Sequence, residues 1–276
     1  MAPLGAPTPY AAGAIPRLPQ RTPHPHALRD TEVKVLAVSA RLQRYRESLA
    51  LSYTFGISPT LELLEVCPEC VEQVLLHDPE GGGDGAVKLR AVCRSLNIPV
   101  VVSPRAIRRV SARFFPAVGV FRKCRRPIRQ DASHVVLFQP QYEGNVGTII
   151  RTMVGFGLEH LAVVRPAPDP MAPGVIRGSM GAIFRLHWTQ FEDLDEYRRT
   201  FPAHRLYCFT TDGERAVEEL VPQRPFSFVF GSEGAGLPAD VRGLGATVRI
   251  GHCAAIDSLN LGVAVGIALH ECARYF

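Results

Sequence analysis

Apolar positions along this chain follow two periods that alternate. Short runs rich in apolar residues recur at 71–76, 98–102, 135–138, 161–164, 205–209, 226–230 and 247–250, and the most continuous of them have the pattern of strands covered on both faces. Between them lie stretches of helical character at 32–51, 59–66, 86–96, 104–114, 144–156 and 192–201. Proline at 104 opens its helix at the first turn. A further strand is expected near 184–188, after a glycine-broken stretch at 174–181, and 81–85 reads as a glycine loop. A last helix is expected to start near Ser258, since Leu261, Val265, Leu269 and Cys272 keep helical spacing. Ser258 is a natural N-cap there, and Asp257 places negative charge near the positive helix end. Strands that alternate with helices in this way predict an α/β fold with a mainly parallel, doubly covered sheet.

The same pattern divides the chain. Residues 1–29 are rich in proline and alanine without hydrophobic period, and read as a disordered, solvated tail. Residues 30–121 form a small α/β domain, 122–130 a basic linker, and 131–276 a larger α/β domain. No apolar run reaches membrane-spanning length and no secretory core opens the chain, so no membrane partner and a cytoplasmic location are expected.

Charge changes this picture by splitting it. The formal net charge is +5, yet residues 1–130 carry 19 Lys+Arg against 10 Asp+Glu, and residues 131–276 carry 12 against 16. Between 104 and 130 there are nine basic residues and no acidic one. Segregated positive charge suits a polyanion such as RNA, and taken alone suits a solvated basic surface equally well. Seven cysteines without regular spacing suit reduced thiols. Cys67-Pro68-Glu69-Cys70 has the spacing of half a zinc site, but no second pair and no His-x-x-x-His follows, so no metal is expected.

Candidate chemistry gathers at three strand ends. After 135–138 comes Glu143-Gly144-Asn145-Val146-Gly147, with Arg151 six residues beyond Asn145. Asn145 at the helix mouth can brace neighbouring loops, and the Arg151 fork can hold a phosphate or carboxylate. After 226–230 comes Gly231-Ser232-Glu233-Gly234-Ala235-Gly236, whose glycines let a ligand approach the backbone. This glycine order is not the dinucleotide fingerprint, and no P-loop lysine is present. After 247–250 come Ile256-Asp257-Ser258-Leu259-Asn260, where the Ile250 and Leu259 backbone could line an adenine slot. Each motif alone also fits a capped helix or a plain turn. Three at successive strand ends favour one pocket, because ligands of open α/β sheets bind outside the carboxyl ends of the strands.

Taken in order, Asn145-x5-Arg151, Gly-Ser-Glu-Gly-x-Gly at 231–236, and Ile250-x7-Ser258-Leu259-Asn260 before a small-residue helix resemble the three motifs of the SpoU/TrmH group of SPOUT methyltransferases. The resemblance covers about 134–276. It implies a trefoil-knotted, mainly parallel sheet, a homodimer, and S-adenosylmethionine as methyl donor to a ribose 2′-hydroxyl of RNA. It assigns Asn145, Arg151, Glu233, Ser258 and Asn260 to catalysis, with Arg151 activating the hydroxyl; since an arginine stays protonated at neutral pH, anchoring the adjacent phosphate is the alternative role for Arg151. Phe230, Gly231, Ser232, Gly236, Ile250, Ser258 and Leu259 would hold the cofactor. Gly251 stands where a proline is usual and Gly262 where a serine often follows. Residues 30–121 are similar to the ribosomal-protein-like substrate domain of some ribosomal RNA members, which favours large-subunit ribosomal RNA. Transfer RNA as substrate and a non-catalytic RNA-binding role on the same fold are the alternatives. A nucleotide-dependent oxidoreductase fits worst, given the glycine order and the missing acidic ribose anchor.

Overall fold

The computed structural model describes residues 42–78 and 83–276. The expected tail, most of the expected helix at 32–51 and the start of the glycine loop lie outside the described residues. Of that helix, residues 42–50 are irregular, and strand β1 (Leu51–Phe55) begins where the helix was expected to end. Its alternating Leu-Ser-Tyr-Thr-Phe is better suited to a pleat. It pairs antiparallel with β4 (Ala117–Arg122), from Leu51↔Arg122 to Phe55↔Val118. The polar Ser52 and Thr54 are buried but satisfied: Ser52 Oγ donates to Met171 O at 2.6 Å, and Thr54 Oγ1 accepts from Gly119 N at 3.0 Å.

The front unit then runs α1 (Ile57–Val66), β2 (Val71–Leu76), α2 (Gly83–Ser95), β3 (Val100–Val102) and α3 (Pro104–Val110). Its sheet has the order β1-β4-β2-β3. The run at 98–102 is not a buried strand: β3 lies at the edge of the sheet, with Val100 38% and Val102 47% exposed. Helix α3 stops at Val110 instead of 114 because Ser111 turns extended; Ser103 Oγ caps its start by accepting from Ala106 N at 3.2 Å.

The larger sheet holds β5 (His134–Phe138), β6 (His160–Val164), β7 (His187–Phe191), β8 (Arg205–Phe209), β9 (Arg215–Ala216), β10 (Phe226–Phe230) and β11 (Ala246–Arg249). Their order is β7-β6-β5-β10-β8-β11-β9, and every pairing is parallel. Helices α4 (Glu143–Phe156), α5 (Pro173–Gly178), α6 (Leu194–Thr200), α7 (Ala239–Arg242) and α8 (Leu261–Cys272) complete the unit. The expected strand at 184–188 is displaced: Ala182–Arg185 form a 3-10 turn that buries Ile183 and Phe184, and the strand follows.

Alternate residues of the sheet feed two cores, as a doubly covered sheet requires. Val135, Leu137, Leu161 and Val163 pack with α4, α5 and α8 on one face. Val136, Ala162, Val164, Cys208 and Val229 pack with α6 and α7 on the other. Helices α4 and α5 touch backbone to backbone, since a Cβ on Gly147 would lie 2.7 Å from Gly178 Cα.

Residues 123–133 pass from one sheet to the other without hanging free. Trp188 N donates to Arg126 O at 2.7 Å, and Ile128 is buried along β7. The two units are pinned by polar contacts: Lys123 Nζ meets the buried Asp169 carboxylate at 2.7 Å, Tyr45 OH donates to the same carboxylate, and Arg185 bridges Glu62 and Glu65. Among the described residues no helix is long and apolar enough to cross a membrane.

Candidate active site

Because the strands are parallel, β8, β10 and β11 all release their loops on the same edge. Those loops enclose a cavity of about 290 Å³. Phe230, Gly231, Ser232, Gly236, Ile250, Ser258 and Leu259, the seven positions expected to hold a cofactor, all line it. The glycine loop after β10 doubles back on itself: Gly236 N donates to Ser232 O at 3.1 Å, and Gly236 has φ +66°. A Cβ on Gly231 would lie 2.2 Å from the Gly236 carbonyl carbon, so only glycine permits this fold-back.

A wider hollow of about 490 Å³ adjoins the cavity, lined by Tyr142, Gly144, Asn145, Glu233, Ser258, Leu259, Asn260 and Leu261. Glu233 and Ser258 line both spaces. The hollow's polar wall is a single hydrogen-bonded chain. Gln141 N donates to Glu233 Oε2 at 2.9 Å, and Asn145 Nδ2 donates to Oε1 at 2.8 Å. Asn260 Nδ2 donates to Asn145 Oδ1 at 3.2 Å, and Asn260 Oδ1 accepts from Gly262 N at 2.9 Å.

The two ends of this chain fix its direction. A carboxylate only accepts and a backbone N–H only donates, so both amides can point one way only. Each asparagine keeps a second N–H for the hollow. Burial works to raise the Glu233 pKa, but hydrogen bonds from Asn145 and from the backbone at Gln141, Glu233 and Tyr142 outweigh it and hold the carboxyl below its ordinary range. Glu233 is therefore a fixed anion at neutral pH.

Two expected placements differ. Helix α8 starts at Leu261 with Asn260 as N-cap, and Ser258 remains in the loop on the cavity wall. Asn and Ser cap about equally well; the loop's path around the cavity puts Asn260, not Ser258, against the first free N–H groups. Arg151 lies on α4 but is exposed, has no hydrogen-bond or ion-pair partner among the described residues, and lines neither space. The structure thus brings Asn145, Glu233, Ser258 and Asn260 together and leaves Arg151 outside them.

Sequence reasoning missed the fourth wall, the loop after β8. Thr210, Thr211 and Asp212 line the cavity, with Arg242 holding Asp212 at 3.1 Å. The signal was present: small polar residues follow the apolar run at 205–209 just as they follow 226–230. Thr210 Oγ1 is buried without a hydrogen-bond partner among the described residues, which marks a place for a ligand atom.

Residues 132–270 match the SpoU rRNA Methylase family. The chain belongs to that family. An uncharacterized tRNA/rRNA methyltransferase of Synechocystis is 35% identical over 143 residues, 51% of this chain and 52% of the relative. The 23S rRNA (uridine(2479)-2′-O)-methyltransferase of Streptomyces viridochromogenes is 30% identical over 158 residues, 54% of this chain and 55% of the relative. The chain spans about half the length of these curated relatives. The crystal structure of the SpoU methyltransferase AviRb from Streptomyces viridochromogenes, in complex with AdoMet, shares the fold with a TM-score of 0.72 at 24% identity, over 82% of this chain and 90% of that one. That breadth takes the likeness beyond the family domain into the front unit.

Proposed function

We propose that this SpoU protein transfers the methyl group of S-adenosylmethionine to a ribose 2′-hydroxyl of RNA, and that its substrate is large-subunit ribosomal RNA. The observation that carries the reading is the Glu233–Asn145–Asn260 chain beside the cavity, which joins three strand ends into one polar wall. The Streptomyces viridochromogenes relative, a 23S rRNA 2′-O-methyltransferase, agrees with it.

The cavity suits the cofactor. Phe230, Ile250 and Leu259 offer apolar surface, the glycine loop offers backbone, and the unpaired Thr210 hydroxyl offers one more hydrogen bond. Bound there, S-adenosylmethionine would supply an activated methyl and depart as the neutral thioether, with the hydroxyl proton passing to solvent. The protein's part is alignment and charge. The spare N–H groups of Asn145 and Asn260 orient ribose oxygens in the adjoining hollow, and Ser258 sits at the boundary of the two spaces. Glu233 fixes the direction of both amides.

Arg151 completes the reading through a homodimer. Its guanidinium has no partner among the described residues and lies outside the hollow, while Tyr142 at the start of α4 and Val263 on α8 are large apolar side chains left exposed at 60% and 51%. Packing a second copy there would bring the partner subunit's Arg151 toward the hollow, to bind a substrate phosphate and stabilise the developing oxyanion. The reading includes a trefoil knot, supported by β10 entering between β5 and β8 while α8 returns to pack on α4. It also makes the basic front unit a ribosomal-protein-like RNA-binding domain, and places the protein in the cytoplasm with its substrate.

The test is transfer of labelled methyl from S-adenosylmethionine to free ribosomal RNA, intact large subunits and transfer RNA. Label is expected in a ribosomal pool, and Arg151→Ala and Glu233→Gln should each lower turnover about a hundredfold while still binding cofactor. Label in transfer RNA alone would move the substrate. No label with no cofactor binding would leave a non-catalytic RNA-binding protein.

A further inference from the structure

Aromatic rings and arginines gather at one end of the front sheet, where β1 and β2 finish and β4 begins. The segment 111–116 crosses this end from α3 to β4, and its backbone is pinned on both sides. Arg113 N donates to Ser111 Oγ at 3.0 Å, and His77 N donates to Pro116 O at 3.0 Å. Phe115 turns inward and stacks on Phe55, with ring centroids 4.6 Å apart. Phe114 turns outward and is 69% exposed, more than any other large apolar side chain among the described residues. The His77 imidazole holds it in a T-shaped contact at 4.7 Å, and most of the ring stays open to solvent. One exposed phenylalanine is ordinary by itself; this one is set apart by the charge around it.

Arg105 and Arg108 lie on α3, and Arg113 directly precedes the ring. All three are exposed, and none has an ion-pair partner among the described residues. Asp78, beside His77 in the chain, sets one negative charge against them. Arg177, from α5 of the larger unit, adds a fourth guanidinium, 5.5 Å from the Phe115 ring centroid. Helix α5 in turn packs backbone to backbone on α4, whose first turn walls the hollow. None of these residues lines the cavity or the hollow, so whatever they hold is not the nucleotide being methylated. Arginine beside an open ring is the chemistry that suits an unpaired nucleobase, which brings a π face to the ring and phosphates to the guanidinium groups. A duplex keeps its bases stacked and offers such a surface only phosphate.

We propose that Phe114 is a stacking platform for an unpaired base of the RNA substrate, set apart from the target ribose, with Arg105, Arg108 and Arg113 on the flanking phosphates and His77 holding the ring. The inference rests on the reading that the substrate is RNA, and adds which feature of that RNA is recognised: a base splayed out of a loop or bulge. The front unit is pinned to the larger one by the Lys123–Asp169 contact and by Arg185 on Glu62 and Glu65. The distance from platform to hollow is therefore fixed, and the contact selects the RNA whose unpaired base and target ribose are spaced to match.

The test is fluorescence anisotropy of the full chain with three labelled probes: a short uridine-rich single-stranded RNA, an abasic strand of the same length, and an RNA duplex. Phe114→Leu should weaken binding of the base-bearing strand about fivefold to a hundredfold and leave the abasic strand and the duplex unchanged. Phe114→Tyr should bind like the parent. Arg108→Gln should weaken base-bearing and abasic strands alike and reduce the log–log salt slope by about one. Because Phe114 is exposed, the Phe114→Leu protein should keep the parent's unfolding midpoint and its affinity for S-adenosylmethionine. A Phe114→Leu protein that binds the base-bearing strand as tightly as the parent would overturn the platform and leave the RNA reading standing. Equal weakening on the abasic strand would overturn it too, and so would a parent assembly that Phe114→Leu dissociates in sedimentation, since the ring would then lie under a second copy. A parent that binds none of the three probes would overturn both the platform and the RNA reading.

Discussion

At Gly231 the backbone passes so close to the returning loop that a Cβ would lie 2.2 Å from Gly236 C and 2.5 Å from Leu237 N. Backbone cannot move aside there as a flexible side chain could. Gly231→Ala should therefore open the loop at a cost of about 1–3 kcal/mol, a weakening of S-adenosylmethionine binding of about tenfold to a hundredfold. Calorimetric titration against the parent protein checks it, with circular dichroism showing the fold retained. Unchanged affinity would mean that the fold-back is not part of the binding surface. Residue types at this scale were legible in the sequence: three glycines around Glu233 announce a close approach of backbone. The partners of Glu233 were not, because Gln141 and Asn145 come from a strand end some ninety positions earlier and meet it only through the parallel pairing of β5 with β10.

At the scale of the element, Asn260 does two jobs with one amide: Oδ1 caps α8 and Nδ2 holds Asn145. Two substitutions separate them. Asn260→Ala removes the cap at about 1 kcal/mol, which for a chain of this size lowers Tm by about 2 °C. Asn260→Ser restores a capping oxygen but has no N–H pair to give Asn145, so it should recover the Tm while methyl transfer stays low. Thermal unfolding and turnover measured on both variants decide this; an Asn260→Ser protein with full turnover would remove Asn145 orientation from the mechanism. Elements with a long, single-minded period were legible, as α4 and the strands β2, β5, β6, β8 and β10 show. Strand β1 was hidden by its buried serine and threonine, whose hydrogen bonds exist only once Met171 and Gly119 are in place. The edge position of β3 could not be read either, since an apolar triplet looks alike at the centre and the rim of a sheet.

At the scale of the whole molecule, the end of the sheet opposite the cavity carries a row of histidines. His134, His160 and His187 are the first residues of β5, β6 and β7, and His204 precedes β8. The register stacks His160 on His187 with ring centroids 4.7 Å apart, and His134 lies 4.3 Å from His204. Burial, then the neighbouring imidazole, lowers His134 to about 3 and His160 to about 4; burial also lowers His204 despite its hydrogen bonds to backbone. The unfolded chain binds protons at these sites near the ordinary value of 6.5, and the folded chain refuses them until the pH is much lower. Stability is therefore complete above about 6.5 and falls as the pH drops toward 4, each imidazole adding up to about 1.4 kcal/mol per pH unit to the slope. Urea midpoints measured from pH 8 to pH 4 check this, and a flat profile below 6.5 would refute it.

By itself the sequence determined the alternation of strands and helices, the basic front half, and the three motifs whose order marks a SpoU member, because period, charge and local spacing are properties of the chain alone. The parallel register decided which residues became neighbours. It closed the Glu233–Asn145–Asn260 chain, added Thr210 to the cavity, lined up the histidines, and left Arg151 outside the hollow. These contacts join strand ends far apart in sequence, and hydrogen bonds of that kind come into being only when the sheet sets its strands side by side.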